Sequence, residues 1–268
     1  MTLHPAGFRQ ARRTPIVPLA APADTQRLLA RLASMAPLTD DERRALLELP
    51  MRVAELRPDQ DVVRAGDRPS RAFLLIEGLA ASFKLTSEGR RLSIALHVPG
   101  DVPDLQSLHL TSLDTGVATI TPCRIGFIYH EDLNALCDRW SGLRGALWRA
   151  TLVDAAIARE WMVGLGQQDA FARLAHLFCE VLVRLEAVGL ARDHACAWPV
   201  TQVELGDLVG LSTVHVNRTI RDLRAAGLIS LTGARLKALD WPRLQEAGEF
   251  DPAYLHLDAP RIEAAPSS

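Results

Sequence analysis

Apolar residues follow two different periods along this chain, and the changes of period divide it. Between Asp24 and Met35, Leu28, Leu29 and Leu32 fall on one side of a short helix. Thr39, with Glu42 three residues on, has the capping-box pattern. It starts a second helix to Leu49 with Leu46, Leu47 and Leu49 on its apolar side. From Met51 to Tyr129 the pattern shortens to alternating or fully apolar runs: Arg52–Leu56, Val62–Arg64, Ala72–Ile76, Ala80–Leu85, Leu92–His97, Gly116–Ile120 and Cys123–Tyr129. Turn signals separate them, among them Ala65-Gly66-Asp67, Glu77-Gly78, Ser87-Glu88-Gly89 and Pro99-Gly100-Asp101. Many short strands at this spacing predict a β-barrel or jelly roll.

The helical period returns at Glu131. A short helix to Cys137 precedes a long one from about Ser141 to Gly164. On the long helix Leu143, Leu147, Ala150, Asp154, Ile157, Trp161 and Gly164 recur at alternating four- and three-residue steps. Such a seam predicts a coiled-coil dimer interface. The alternative is a helix packed by that seam on its own barrel. Asp154 either specifies register or faces solvent. A further helix, Asp169 to Val188, carries Phe171, Leu174, Leu177, Phe178, Val181, Leu182 and Leu185 on a broad face, and Gly189 to Pro199 reads as a linker.

The stretch from Val200 to Ile229 has the densest local signals. Thr201 and Glu204 form a second capping-box pattern, and Val203, Leu205 and Leu208 are expected inward. Gly210 breaks this helix after a few turns, and Ser212 caps another. On the latter, Val216, Ile220 and Leu223 form the apolar stripe, and Gly227 is placed as the C′ glycine. Thr213, Asn217, Arg218, Arg221 and Arg224 face outward. Arg pairs bidentately with guanine and Asn with adenine, so this face has side chains suited to DNA. The bland alternative is a solvated amphipathic helix. Leu228–Leu231 and Arg235–Leu239 alternate around Thr232-Gly233 as a basic hairpin, and helix, turn, helix and hairpin together make a winged helix.

Composition narrows the picture. The 268 residues allow one or two domains with a sizeable core, and 48% hydrophobic with 23% charged residues is ordinary for a globular protein. A formal net charge of -2 means that DNA binding must rest on a local patch such as Arg218–Arg224. Residues 1–23, rich in Pro, Ala and Arg, read as a flexible arm. The arginines Arg9, Arg12 and Arg13 are not followed by the apolar block of a secretory signal, no run reaches membrane-helix length, and cytoplasmic residence is expected. Cys123, Cys137, Cys179 and Cys196 are far apart and are expected in cores; neither a metal nor a cofactor is expected.

The whole order resembles the Crp/Fnr family of bacterial transcription regulators. The likeness runs over roughly residues 24–240 and is carried by Val62–Asp67, Leu74–Gly78, the Pro99-Gly100-Asp101 turn and the Gly210–Leu223 helix. It implies an α+β chain: an N-terminal β-roll, jelly-roll-like, over 24–138, a dimerisation helix over 139–166, a winged helix-turn-helix domain over 167–245, and a tail over 246–268. It further implies a homodimer on a near-palindromic double-stranded DNA site, with RNA polymerase as a further partner. By position Thr213, Val214, Asn217 and Arg218 would face base edges and Arg221 would lie near phosphate. Thr201, Ser212 and Arg235 complete the candidate DNA-contacting set.

The sensor region departs from the family. Its cyclic-nucleotide binders carry a Gly-Glu pair after the Gly-Asp turn, then an Arg-Ser or Arg-Thr pair, because ribose needs an acceptor and phosphate a cation. Here Asp104-Leu105 and Leu113-Asp114 take those places, and Ala158 and Arg159 fall where the base would be met. A carboxylate where a phosphate needs a cation is repulsive. These six residues form the candidate effector pocket, and cAMP binding in the usual mode is not expected. The effector is unknown; an atypical pocket for cAMP or another small effector is the alternative. Iron–sulfur members cluster cysteines in the arm, which has none before Cys123, while a haem ligand would have to come from His97, His109, His130 or Cys123. No GxSxG, HExxH, P-loop or dinucleotide motif favours an enzyme. A dimeric scaffold would need the Asn217-Arg218 face to be incidental.

Overall fold

A computed structural model describes residues 22–89 and 91–257 of the chain. The expected arm thus lies outside the described residues up to position 21, and the expected tail lies outside them from 258. Two helices, α1 (Pro22–Ala33) and α2 (Asp40–Leu47), lead in, α2 with the Thr39–Glu42 capping box formed in both directions. The β-roll follows: β1 (Arg52–Leu56), β2 (Asp61–Val63), β3 (Arg71–Glu77), β4 (Ala80–Leu85), β5 (Arg91–His97), a 3-10 turn (Leu105–Leu108), β6 (Gly116–Thr119) and β7 (Cys123–Tyr129). It closes as two antiparallel sheets, of strand order β1-β7-β3 and β2-β6-β4-β5.

Strand β3 shows how the pleat builds two cores from one run. Phe73 and Leu75 point into the roll with Ala54, Val63, Ala80, Leu113, Val117, Cys123 and Ile125. The alternate residues Ala72, Leu74 and Ile76 point outward and join the core shared with α1 and the later helices. The five central residues of β3 are therefore all buried, and its sequence is continuously apolar rather than alternating.

After the roll come α3 (His130–Arg139), α4 (Ser141–Gln167) and α5 (Ala170–Ala187), the last capped by Asp169, whose side chain accepts from the Ala172 N–H at 2.9 Å. The expected linker from Gly189 to Pro199 is instead a hairpin. β8 (Ala191–Arg192) and β9 (Ala195–Ala197) turn through Asp193 and His194, both at φ +51°, the left-handed geometry of a tight two-residue loop. No glycine marks this turn. The Glu186 carboxylate accepts from the His194 N–H at 3.0 Å, and the His194 ring stacks on Trp241 at 4.1 Å. These contacts hold the turn, and Trp198 is buried just beyond it.

The chain ends with α6 (Gln202–Val209), α7 (Thr213–Ala225), β10 (Ile229–Thr232), β11 (Arg235–Ala238) and α8 (Trp241–Ala247). Its sheet has the order β10-β11-β9-β8, so the hairpin read as a linker supplies half of the wing sheet. The described part of the expected tail, up to residue 257, also folds back. Phe250 and Leu255 are buried, and Tyr254 donates to the Glu180 carboxylate at 3.0 Å.

Candidate DNA-binding face, helix seam and sensor pocket

Local rules set up the helix-turn-helix. The Thr201 N–H donates to the Glu204 carboxylate at 2.6 Å and the Glu204 N–H to the Thr201 hydroxyl at 3.3 Å. Gly210, at φ +66°, ends α6 in the left-handed conformation. A Cβ on Gly206 would come within 2.6 Å of the Leu211 carbonyl, so a glycine there lets the turn close tightly over α6. Ser212 caps α7 by accepting from the His215 N–H. Leu205, Leu208 and Val209 form the buried side of α6. Val203, expected inward, is exposed, because it lies more than a quarter-turn away from that side.

On α7, Val216, Thr219, Ile220 and Leu223 are buried, while Thr213, Val214, Asn217, Arg218, Arg221 and Arg224 are exposed. Val214 is 81% exposed, the most open of the large apolar side chains described. Gln202, Thr213, Val214, Asn217, Arg218 and Arg221 line one concavity between the start of α6 and the outer face of α7. Arg218 lies 3.8 Å from Asp222 one turn on, a solvent-exposed pairing too weak to withhold its guanidinium. Thr201 and Ser212 serve as caps, and both are exposed. Arg235 and Lys237 are exposed on β11, opening from the Gly233-Ala234 turn.

The seam expected to join two protomers faces inward. Leu143, Leu147 and Ile157 are buried against the chain's own core, with Ala150 half-buried beside them. Trp161 packs there too and donates to Glu180 at 3.0 Å. Asp154 lies 3.9 Å from Arg31 of α1, so its partner is intramolecular. The helix seated on its own roll, the alternative to a dimer seam, is what these side chains form. A second stripe of the same period runs along the opposite face: Gly145, Trp148, Leu152, Ala155, Arg159, Met162 and Gly166. Trp148 is 65% exposed, Leu152 57% and Met162 63%.

The structure does not gather the candidate effector residues into a cavity. Asp104 is buried and accepts from the Phe73 N–H at 2.9 Å. Burial pushes its carboxyl up to about 7, against the pull of that bond. Leu113 exchanges backbone hydrogen bonds with Gly66 and Asp67, and its side chain drops into the interior of the roll beside Phe73. Leu105 is buried in the outer core, and Asp114 lies outside, 2.6 Å from Lys84. Ala158 is half-buried on α4 and Arg159 exposed. Three of the four residues considered as haem ligands are engaged otherwise, His130 with the Ser107 hydroxyl at 2.9 Å. His97 is buried 2.7 Å from the Ser82 hydroxyl, and burial lowers its pKa to about 4; the Cys123 thiol donates to backbone carbonyls. All four cysteines are free and buried.

Sequence reading missed a buried ionic cluster joining the roll to the C-terminal domain. Arg184 of α5 donates to Asp101 at 2.6 Å, to the Leu96 carbonyl at 2.9 Å and to Glu180 at 2.8 Å. Asp101 also pairs with Arg31 at 3.2 Å and accepts from the Val98 N–H at 2.9 Å. Burial disfavours the charged carboxyl, but Arg184 and Arg31 outweigh it and hold Asp101 below the usual carboxylate range. Arg184 sits on the apolar face of its helix, and that misplacement was the one available signal.

Residues 53–139 match the family described as cyclic nucleotide-binding domain, and residues 172–247 match the Crp-like helix-turn-helix domain. Transcriptional activator protein FnrL of Cereibacter sphaeroides is 26% identical over 215 residues, covering 78% of this chain and 86% of that protein. Transcriptional activator protein anr of Pseudomonas aeruginosa is 23% identical over 212 residues, 79% and 86% of the two chains. Among solved structures, FixK2 from Bradyrhizobium japonicum superposes with a TM-score of 0.66 at 24% identity, over 74% of this chain and 96% of that one. The regulator CLP of Xanthomonas campestris, described as responsive to c-di-GMP, gives 0.56 at 18% identity, over 75% and 100%. At these identities the solved structures speak for the fold alone.

Proposed function

Taking as premise that the chain is a DNA-binding transcription regulator of the Crp/Fnr type, we propose that it acts as a homodimer on a near-palindromic site. Thr213, Val214, Asn217 and Arg218 meet base edges, and Arg221, Arg235, Thr201 and Ser212 hold the backbone. The exposed polar face of α7 over a fully packed apolar stripe carries this reading. The dimer forms through the Trp148–Leu152–Met162 face of α4. Exposed large apolar side chains at heptad spacing lose water contact by pairing with a second copy, and two recognition helices then reach two half-sites. The relatives named as activators favour activation, with RNA polymerase as the partner and the cytoplasm as the place of action. Among the described residues no helix is long and apolar enough to cross a membrane.

The sensor domain does not take cAMP in the usual mode. Leu113 and Phe73 occupy the roll interior, and Asp114, in the sequence place of the family's phosphate-binding cation, lies outside it paired with Lys84. The other reading, a small effector in an atypical place, is favoured by a crevice between the roll and the C-terminal domain lined by Arg27, Glu77, Leu79, Leu185 and Leu190. Selection of bound sequences from a random DNA pool, with sedimentation of the free protein, tests the proposal. Discrete, salt-sensitive complexes on a two-fold sequence are expected. A monomer with no sequence preference would overturn it.

A further inference from the structure

We propose that Gln202 is a positioning residue for base recognition, fixing the direction of the Asn217 amide so that it reads adenine; this rests on the DNA-binding reading above. The Asn217 Nδ2 donates to Gln202 Oε1 at 3.0 Å, across fifteen residues and between two different helices. Both side chains are exposed, so no packing requirement brings them together. Both line the concavity that Thr213, Val214, Arg218 and Arg221 complete.

Counting hydrogen-bonding groups gives the consequence. An Asn side chain has two N–H donors and one carbonyl acceptor. Gln202 accepts one N–H, and the other N–H and the carbonyl oxygen are left for the base. Adenine presents to the major groove one acceptor, N7, and one donor, the N6 amino group, and no other base offers that pair in that order. The remaining groups on Asn217 match that edge one for one. A free Asn side chain turns over at little cost and exchanges its donor for its acceptor. One whose amide nitrogen is held by Gln202 cannot do so without losing that bond, and its ordering entropy is spent before DNA arrives. Gln202 is the first residue of α6, so the bond also ties the position of the first helix to the reading of the second. Val214, three residues before Asn217 and almost fully open, lies beside the amide with an apolar surface suited to the methyl group of thymine.

The test uses the full-length protein in sequence selection. Asn217→Ala first locates the position that Asn217 reads. Gln202→Glu keeps an acceptor and forces the same amide direction, so adenine preference there survives even as the new carboxylate lowers overall affinity near phosphate. Gln202→Lys offers only donors, draws the Asn217 oxygen toward itself and reverses the order facing the base; adenine preference is lost while overall affinity holds or rises. Gln202→Ala frees the amide and weakens the preference. The discrimination at stake is roughly five- to a hundred-fold, the usual worth of one good bidentate contact. Melting temperatures stay near wild type, because the pair is solvent-exposed. If Gln202→Ala and Gln202→Lys select the same base as strongly as wild type, the positioning role is wrong and DNA reading stands. If the wild type itself selects no sequence, the underlying reading fails instead.

Discussion

Arg184 and Asp101 meet at 2.6 Å with both side chains almost wholly buried, and this contact joins the C-terminal domain to the turn at the end of β5. Removing one partner of a buried pair strands the other's charge, which typically costs about 3–5 kcal/mol. Arg184→Met should therefore destabilise the protein strongly, since Asp101 and Glu180 lose the same cation. Asp101→Asn combined with Arg184→Met should cost less than the sum of the single changes, because the double variant leaves fewer charges unpaired. Urea unfolding of the four proteins measures the coupling; additive losses would contradict a direct link.

Arg218 and Arg221 stand one turn apart on the exposed face of α7 and should differ in kind. Arg218→Ala should weaken the cognate site by roughly 1–3 kcal/mol and relax one position per half-site. Arg221→Ala should weaken all sequences alike and flatten the salt dependence. Gel shifts over a salt series separate the two effects, and sequence-blind losses from both variants would remove Arg218 from base reading.

The two stripes of α4 predict opposite outcomes for the same substitution. Leu152→Asp, on the open face, should give a folded monomer whose affinity for a two-half-site operator collapses with the loss of avidity. Leu147→Asp, on the buried face, should unfold the chain, since an unpaired buried charge costs several kcal/mol. Sedimentation together with thermal melting distinguishes them. A Leu152→Asp variant that remains dimeric at micromolar concentration would rule out the Trp148–Met162 face.

Asp104 sets a pH dependence. Its folded-state pKa, raised by burial to about 7, exceeds the ordinary carboxylate value, so its contribution to stability is complete below the ordinary value and is lost as pH rises through about 7. Asp104→Asn keeps an oxygen to accept from the Phe73 N–H and removes the titration. It should match wild type near pH 4 and exceed it at pH 8 by roughly a few kcal/mol. Melting curves across that range check it; a variant less stable at pH 8 would show that the charged form is favoured in the fold.

With Leu113 in the interior of the roll, millimolar cAMP or cGMP should leave both melting temperature and DNA affinity unchanged. A ligand bound only by the folded state would add about 2.7 kcal/mol at a hundredfold excess over its Kd. A saturable micromolar site in isothermal titration that also tightens DNA binding would refute the filled-roll reading.

Features that depend on neighbours along the chain can be read before any folding is considered. Every strand of the roll, the capping boxes at Thr201 and Thr39, the Ser212 cap, the Gly210 break and the outward set from Thr213 to Arg221 were legible, because periodicity, capping and turn chemistry act over a few residues. The Asp193-His194 hairpin was not, since distant partners, Glu186 and Trp241, stabilise a left-handed turn that has no glycine. Nor were Arg184 with Asp101, or Gln202 with Asn217, whose spacing follows no local rule. Helix α4 marks the boundary most sharply. It carries two apolar heptad stripes, one through Leu143, Leu147 and Ile157 and one through Trp148, Leu152 and Met162, and either alone satisfies the pattern of a dimer seam. The period says only that a face is buried. Which face the chain's own roll covers, and which is left open, is decided when β5, the turn after it and α1 close over one side of the helix.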